Sequence, residues 1–259
     1  MGRSKILFPI VPDTIPSVVE KTRKGFDVIL SEDCRTGLKK MKKESVNLVV
    51  TDPPFAIDFQ KVGSQYNRKS ENVLRGYNEI KQEEYFDFTV EWLKQVKRVL
   101  TQDGSMFLVS GWSNLRDILN AVEEVGFETI NHLIWKYQFG VFTKKKFVTS
   151  HYHILFLVRD KKDYVFNKID HYPEDVLEIK REYWANKVKT PTRLPEQLVS
   201  LLIAYGSNEG DVVLDPFMGS GTTAVCAKKM NRYYMGFEIV PEFCEFANNR
   251  VKNNGVSGV

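Results

Sequence analysis

Asp52-Pro53-Pro54-Phe55 is the first of two stretches whose residue types and order could do chemistry. It follows the apolar run Val46 to Val50. A run of this length predicts a buried strand, so the tetrapeptide would lie at the carboxyl end of that strand, where ligands bind in open α/β sheets. Because prolines fix the backbone, the Asp52 carboxylate and the Pro53 carbonyl can present two acceptors in one direction.

Two fixed acceptors suit an amino group. The exocyclic amine of a nucleobase is a poor nucleophile, because its lone pair is delocalised into the ring. Accepting both N–H hydrogens would direct that lone pair at an electrophile, and Phe55 could stack on a base taken out of its helix. The structural alternative is a strand-terminating turn with a phenylalanine in the core.

The second stretch is a glycine loop, "VVLDPFMGSGTTA", from Val212 to Ala224. Gly219 and Gly221 follow a predicted strand and precede a predicted helix, whose first N–H groups can face a ligand. Glu238 ends the next predicted strand. A carboxylate there can accept hydrogen bonds from ribose hydroxyls, so loop and acid together predict a cofactor that contains a nucleoside.

Three alternatives concern this glycine loop. Gly219-x-Gly221-x-x-Ala224 also satisfies the dinucleotide fingerprint, but only a short tail follows Glu238 to complete such a fold. A nucleoside triphosphatase loop is disfavoured, because no lysine precedes Thr222 or Thr223. A tight turn with no ligand is the third alternative, and the acid that follows argues against it.

Hydrophobic periodicity alternates between strands and helices along the chain. Strands are predicted at 28–30, 46–50, 103–110, 128–137, 211–215 and 233–239, the third after an Asp103-Gly104 turn. Helices are predicted at 34–44, 83–100, 113–127, 194–206, 224–230 and 241–253. This alternation predicts an α/β fold with a doubly wound, mostly parallel sheet in a single domain, 1–259.

Two segments interrupt the alternation. Residues 60–80 are polar and basic without a period, which predicts a mobile loop next to the catalytic stretch. Residues 138–190 join a basic tip to a hairpin-like strand and a basic, aromatic stretch. We expect this segment to be an insertion that contacts a partner rather than a part of the layered core.

Composition sets broad limits. The 259 residues include 37 Lys and Arg and 33 Asp and Glu. The resulting net charge of +4 is too small to demonstrate a nucleic-acid partner. No apolar run approaches the ~20 residues of a membrane span. Cys34, Cys226 and Cys244 are widely spaced, which favours a reducing, cytoplasmic location. His151-x-His153 is typical of a strand, and we predict no metal site.

The two stretches together resemble the amino-group DNA methyltransferases that use S-adenosylmethionine. Asp52-Pro53-Pro54-Phe55 is similar to their catalytic motif, and "DPFMGSGTT" is similar to their cofactor loop. The catalytic motif precedes a target-recognition region and then the cofactor loop, which is the order of the permuted beta group. The resemblance covers most of the chain and implies a circularly permuted, Rossmann-like methyltransferase fold with recognition region 138–190.

The resemblance also implies roles for individual residues. Asp52, Pro53, Pro54 and Phe55 would form the catalytic motif, in which tyrosine is commoner than phenylalanine at the fourth position. Asp33 would contact the adenine end of the cofactor, Glu238 its ribose and Asp215 its methionine end. The remaining cofactor residues implied are Pro216, Phe217, Gly219, Ser220, Gly221, Thr222, Thr192 and Ser207.

The implied reaction is methyl transfer to adenine N6 in duplex DNA with base flipping. An aspartate-led motif favours adenine N6 in this family, and cytosine N4 stays the alternative. Cytosine C5 is rejected, because none of the three cysteines follows a proline. The sequence leaves three further hypotheses open: a nicotinamide-dependent dehydrogenase, a non-catalytic nucleic-acid-binding subunit, and methylation of RNA or of a protein glutamine.

Basic residues provide the candidate DNA contacts. Lys144, Lys145 and Lys146, flanked by Phe142 and Phe147, would contact phosphates at the tip of the insertion. Behind this tip lie Arg181, Lys187 and Lys189, and the 60–80 loop, on the DNA side of the site, adds Lys61, Arg68, Lys69 and Arg75. A homodimer and a cognate restriction endonuclease are partners that the sequence leaves open.

Overall fold

The sheet of this protein has eight strands among the residues that the computed structural model describes, 25–55, 80–138, 140, 142–182 and 193–253. The strands are β1 Val28–Leu30, β2 Val46–Thr51, β3 Leu100–Ser110, β4 Glu128–Lys136, β5 His151–Val158, β6 Val176–Glu178, β7 Val212–Asp215 and β8 Tyr233–Phe237. The helices are α1 Cys34–Lys40, α2 Tyr85–Val99, α3 Leu115–Val125, α4 Glu196–Gly206, α5 Thr222–Lys229 and α6 Pro241–Lys252.

The sheet order is β1-β8-β7-β2-β3-β5-β4-β6. Five neighbouring pairs are parallel, and only β5 runs antiparallel to both of its neighbours, β3 and β4. The predicted doubly wound, mostly parallel sheet is therefore confirmed. Most of the predicted boundaries of the elements are confirmed to within about two residues, and α3 ends at the left-handed Gly126, whose φ is +75°.

The sheet corrects two details of the sequence interpretation. Strand β5, within the predicted insertion 138–190, is a central strand with Ile154 and Phe156 buried, and β6 pairs with β4. That segment is therefore partly core, because the apolar run after His153 is covered on both faces of the sheet. The Asp103-Gly104 pair makes no turn: β3 runs from Leu100, and the pair falls within a register shift against β2.

Two hydrophobic layers cover the faces of the sheet. Successive side chains of β2 point to opposite faces of the sheet. Val50 packs on one face with Leu202 of α4 and Ala224 of α5. Val49 packs on the other face with Trp92 of α2. Helices α4, α5 and α6 cover the first face, and α1, α2 and α3 cover the second. No helix in the described part of the chain is long and apolar enough to cross a membrane.

The chain changes direction across the sheet between β2 and β7. These strands are parallel neighbours, but the chain leaves β2 towards β3 on one side and leaves β7 towards β8 on the other. Diverging connections open a crevice at the carboxyl ends of such a pair. The two chemistry-bearing stretches follow these two strands directly, so the topology brings them together.

Candidate active site

A cavity of about 300 Å³ opens at the carboxyl ends of β2 and β7. Its wall combines predicted catalytic and predicted cofactor residues in one continuous space. The predicted residues on this wall are Asp33, Asp52, Pro53, Pro54, Phe55, Asp215, Pro216, Phe217, Gly219, Ser220, Thr222 and Glu238. Sequence reasoning did not identify other wall residues, among them Cys34, Arg35, Phe88, Arg193, Thr223, Val240 and Phe243.

Two of the predicted cofactor residues have packing roles in the structure. Gly221 precedes α5 with φ of +82°, and a Cβ there would lie 2.9 Å from the Cβ of Ala247, so glycine permits the contact between α5 and α6. Ser207 ends α4: its hydroxyl donates to the Ile203 carbonyl at 2.7 Å and accepts from Arg232. Neither residue lines the cavity. Thr192 lies outside the described residues.

Asp52 is an unsatisfied acid on the cavity wall. Its Oδ1 is buried and has no hydrogen-bond partner in the described part of the chain. Burial raises the pKa of Asp52 to about 8; the nearby Asp215 charge adds to this increase and the Arg181 charge opposes it. An acceptor that is neither paired nor hydrated by the bulk solvent costs free energy, so its presence indicates a ligand that donates to it.

Phe55 belongs to an aromatic cluster, which we define as Phe55, Trp135, Tyr137 and Tyr152. The Phe55 and Tyr152 rings stack with centroids 6.1 Å apart and planes inclined by 24°. Tyr152 stacks in turn on Trp135 at 5.6 Å. Sequence reasoning missed the cluster because its members come from separate strands. The hairpin-like strand predicted after the basic tip was a signal that could have placed β5 beside β4 and Phe55.

Arg181, predicted to lie behind the basic tip, also packs in this cluster. Its guanidinium carbon lies 3.8 Å from the centroid of the Tyr137 ring and 5.3 Å from that of Tyr152. The residue is half-buried. Its charge therefore acts next to Asp52 rather than at an exposed phosphate-contacting tip. Lys187 and Lys189 lie outside the described residues.

Asp215 joins the ends of β2 and β7. Its carboxylate accepts hydrogen bonds from the hydroxyls of Thr51 and Thr223, each at 2.8 Å, and from the Phe217 amide at 3.0 Å. Burial raises the pKa of Asp215 to about 6 despite these three donors. The carboxylate therefore fixes the start of the glycine loop against the catalytic strand.

Glu238 holds the middle of the glycine loop. Its two carboxylate oxygens accept from the amides of Gly219, at 2.8 Å, and Val240, at 2.9 Å. Gly219 has φ of +53°, a conformation that glycine adopts without the strain of a side chain. Burial raises the pKa of Glu238, while the amides oppose the increase. The carboxylate thus lies on the cavity wall in a fixed orientation.

A buried arginine supports the same loop from behind. Arg250 of α6 donates from Nη1 to the Ser220 carbonyl at 3.1 Å and to the Thr222 hydroxyl at 2.9 Å. It also forms an ion pair with Glu196 of α4. Because Arg250 is only 1% exposed, these bonds form in a poorly solvated interior. The loop is therefore held by both Glu238 and Arg250.

Asp33 begins α1 at the opposite end of the cavity. Its Oδ1 caps the helix by accepting from the Arg35 amide at 2.8 Å, and its carboxylate pairs with the Arg35 guanidinium at 2.7 Å. The bonds from Arg35 lower the pKa of Asp33. Phe88 and Phe217 add ring faces to the same wall. Carboxylates among aromatic rings fit a ligand with hydroxyl donors, an aromatic base and a positive charge.

The family model for DNA methylases, N6_N4_Mtase, matches residues 46–249, from the catalytic strand to the last helix. The chain belongs to the DNA methylase family. It is similar to the Type II methyltransferase M.HpaI of Haemophilus parainfluenzae, with 29% identity over 244 residues that cover 86% of this chain and 74% of that protein. A nicotinamide-dependent dehydrogenase is therefore set aside.

Solved structures show that the methylase shares its fold with known proteins. The crystal structure of the M1.HpyAVI–SAM complex matches with a TM-score of 0.66 and 24% identity over 86% of this chain and 98% of that one. The PvuII DNA methyltransferase, which is cytosine-N4-specific, matches with a TM-score of 0.67 and 20% identity over 88% and 90%. These likenesses establish the Rossmann-like fold.

The methylase carries its basic tip at the same edge of the sheet as the cavity. Strand β4 is oriented like β2 and β3, so its carboxyl end, where the tip begins, lies at the edge where Asp52 follows β2. Lys144, Lys145 and Lys146 are exposed, as are Phe142 and Phe147 beside them. Lys61, Arg68, Lys69 and Arg75, with most of the 60–80 loop, lie outside the described residues.

Three histidines of the methylase meet on β4 and β5. His132 Nε2 lies 2.8 Å from His153 Nδ1, and the His151 ring lies 5.1 Å from that of His153. Burial and the two neighbouring imidazoles lower the pKa of His153 to about 4, which keeps it neutral at pH 7. Within the described residues, no group of three or more metal-ligating side chains is arranged to hold an ion.

Proposed function

We propose that this DNA methylase transfers a methyl group to the exocyclic N6 amine of adenine, with the target base turned out of duplex DNA. The observation that carries the proposal is the unpaired, buried Oδ1 of Asp52 on the same cavity wall as Phe55, the member of the aromatic cluster that lines the cavity. The N–H groups of an amine can donate the hydrogen bond that Asp52 Oδ1 does not receive from the described part of the chain. S-adenosylmethionine, the methyl donor of this family, would occupy the adjacent cavity.

The cofactor would be held by residues at both ends of the cavity. Glu238 would accept from ribose hydroxyls, Asp33 would face the adenine end, and Asp215 with the 217–222 loop would face the methionine end. Bound S-adenosylmethionine supplies a methyl group already activated on a positive sulfur. The acidic, aromatic wall favours a positive ligand, because carboxylates and ring faces both attract cations.

Orientation of the amine is the contribution of the catalytic motif. Asp52 Oδ1 and the Pro53 carbonyl would accept its two hydrogens, and Phe55 would stack on the base. As the new N–C bond forms and the S–C bond breaks, positive charge develops on the amine nitrogen. The Asp52 carboxylate stabilises that charge and is placed to accept the proton that the nitrogen loses. No covalent bond between enzyme and base is required.

Duplex DNA would lie across the cavity edge of the sheet. Lys144, Lys145 and Lys146 would contact phosphates there, and ring faces at the tip would pack on sugars or bases. Trp112 supports this placement, because it follows the carboxyl end of β3 at the same edge and is 79% exposed. A homodimer and a cognate restriction endonuclease stay predictions of the sequence resemblance.

Cytosine N4 is the second candidate acceptor. Its amine carries the same two hydrogens in the same plane as that of adenine, and the matched family model covers both N6 and N4 methylation. The aspartate that leads the catalytic motif favours adenine by resemblance. Asp52 and the glycines of the loop are both present, which argues against a subunit without catalytic function.

The test is to incubate the protein with S-adenosylmethionine labelled with tritium in the methyl group and with unmethylated genomic DNA, and to separate the digested nucleosides. Label in N6-methyladenine is the expected result. Label in N4-methylcytosine would keep the mechanism and change the base. A protein that binds S-adenosylmethionine and labels neither nucleoside would contradict the proposed substrate.

A further inference from the structure

Arg181 is a charged residue next to the site that the proposed methyl transfer does not use. It follows the carboxyl end of β6, at the cavity edge of the sheet. Its backbone is fixed on both sides by Gln138, which accepts from the Arg181 amide at 2.8 Å and donates to the Arg181 carbonyl at 3.4 Å. The residue therefore has a defined position beside the aromatic cluster.

The guanidinium of Arg181 is held by ring faces. It lies over Tyr137, Tyr152 and Trp135, with its central carbon 3.8, 5.3 and 6.0 Å from the three centroids. Its Nε is buried without a hydrogen-bond partner, and no carboxylate in the described part of the chain forms an ion pair with it. Rings attract a cation without cancelling its charge, so the positive charge acts on its surroundings.

Asp52 is the acid on which this charge acts. Among the residues that the structure describes, the ionisable groups that face Asp52 come from three elements: Asp215 at the end of β7, Tyr152 on β5 and Arg181 after β6. Asp215 opposes ionisation of Asp52, and Tyr152 is neutral at physiological pH because burial raises its pKa to about 12. Arg181 is thus the one group of the three that favours the carboxylate.

We propose that Arg181 is a positioning residue that favours the carboxylate form of Asp52 and, through Tyr152, fixes the ring of Phe55 on which the target base stacks. The two effects have one geometric origin. The guanidinium packs on the Tyr152 ring, and that ring is the partner of Phe55. The inference rests on the proposed role of Asp52 as the acceptor of the target amine.

Ionisation of Asp52 matters because of what the amine requires. A protonated carboxyl places an O–H where the amine also donates, whereas a carboxylate accepts. Since burial already raises the pKa of Asp52 to about 8, the opposing positive charge decides how much enzyme is active near pH 7. Activity is present above this pKa and is lost as the pH falls through it. Removal of the charge raises the pKa further and moves the loss to higher pH.

The test is the pH profile of kcat for Arg181→Met, at saturating S-adenosylmethionine and DNA. The midpoint of the acidic limb should rise by about one pH unit, so turnover at pH 7 falls about tenfold and recovers towards the wild-type value at high pH. Arg181→Lys retains the charge but not the planar stack. Its limb should stay near that of the wild type while kcat falls at every pH.

Controls separate this effect from folding and from DNA binding. Arg116→Met removes a guanidinium whose side chain is 84% exposed on α3, and its profile should match the wild type. Arg181→Gln, a neutral polar variant, replaces the methionine variant if that variant does not fold. Affinity for S-adenosylmethionine, measured by calorimetry, should be unchanged in every variant.

The outcomes separate the inference from the function on which it rests. An acidic limb that stays at the wild-type pH in the neutral variants would overturn the role of Arg181, even if their kcat were lower. Full turnover in Asp52→Ala would instead overturn the catalytic assignment of Asp52. A shifted limb in the neutral variants, together with an inactive Asp52→Ala, supports both.

Discussion

At the scale of single residues, Asp52 combines burial with an unpaired oxygen. Other acids near the cavity have internal partners: Asp215 accepts from two hydroxyls, Glu238 from two amides, and Asp33 from Arg35. Those three hold the structure of the cavity in place. Asp52 holds no other part of the described chain, which is expected of a group that is kept for a substrate.

Asp52→Ala should lower methyl transfer by at least about a hundredfold while leaving affinity for S-adenosylmethionine within about threefold. The alanine removes the acceptor that orients the amine and leaves the cofactor wall intact. Incorporation of tritium and calorimetric titration measure the two quantities. Asp163→Ala, an exposed acid in the turn after β5, is the matched control. Turnover in Asp52→Ala equal to that of the control would refute the assignment.

The same variant has a predicted effect on stability. Because the pKa of Asp52 rises from its ordinary value of 3.8 to about 8 on folding, the folded state holds a proton that the unfolded state releases. Wild-type stability should therefore fall as the pH increases between these values, and Asp52→Ala should lack this loss. Urea unfolding at pH 5 and pH 8 measures the change in the free energy of unfolding of the wild type and of Asp52→Ala. An equal change in the two proteins would contradict a raised pKa.

At the scale of elements, the site depends on how closely α5 approaches α6. The glycine loop ends at Gly221, where the chain enters α5 in a left-handed conformation, and Ala247 of α6 lies against it. Arg250, on the same helix, bonds to the loop on either side of Gly221. The position of the loop is therefore set by the contact between these two helices.

Gly221→Ala should destabilise the protein by at least about 2 kcal/mol more than Gly210→Ala, because a Cβ collides with α6 only at residue 221. The two glycines are matched in backbone strain, with φ of +82° and +83°, but nothing lies within 4 Å of a Cβ at Gly210. Free energies of unfolding in urea measure the difference. Equal losses in the two variants would show that backbone strain alone sets the cost.

At the scale of the whole molecule, one edge of the sheet gathers every group in the proposed reaction. The catalytic motif follows β2, the cofactor loop follows β7, and the tip follows β4, all at carboxyl ends with the same orientation. Strand β5 runs antiparallel to β3, so its amino end, with Tyr152, lies at this edge of the sheet. Its carboxyl end lies at the opposite edge of the sheet.

Replacing Lys144, Lys145 and Lys146 together by alanine should weaken DNA binding and lower the slope of log K against log salt by about 1 to 3, because lost phosphate contacts release fewer counterions. Fluorescence anisotropy with a labelled duplex at several salt concentrations measures the slope. Lys161→Ala with Lys162→Ala removes charge after β5, at the opposite edge, and should leave the slope unchanged. Equal salt slopes for the two variants would show that the DNA does not contact the tip.

The sequence by itself determined the fold class, most of the strands and helices, and the two motifs, because these depend on local periodicity and on residues that are close along the chain. Asp52, Gly219 and Glu238 could be found in this way, each at the end of a predicted strand. The sequence also predicted a hairpin-like strand after the basic tip, which is β5, although it placed this strand outside the core.

Only the tertiary structure decided which side chains meet. The aromatic cluster draws on β4, β5 and the catalytic motif, and Arg181 reaches it from beyond β6. Ser207 and Gly221, which the sequence resemblance gives as cofactor residues, have packing roles that the sequence did not predict, and the charged neighbours of Asp52 come from distant strands. The physical reason is that burial, stacking and pKa depend on distances in space, and strand order, which local periodicity does not encode, sets those distances.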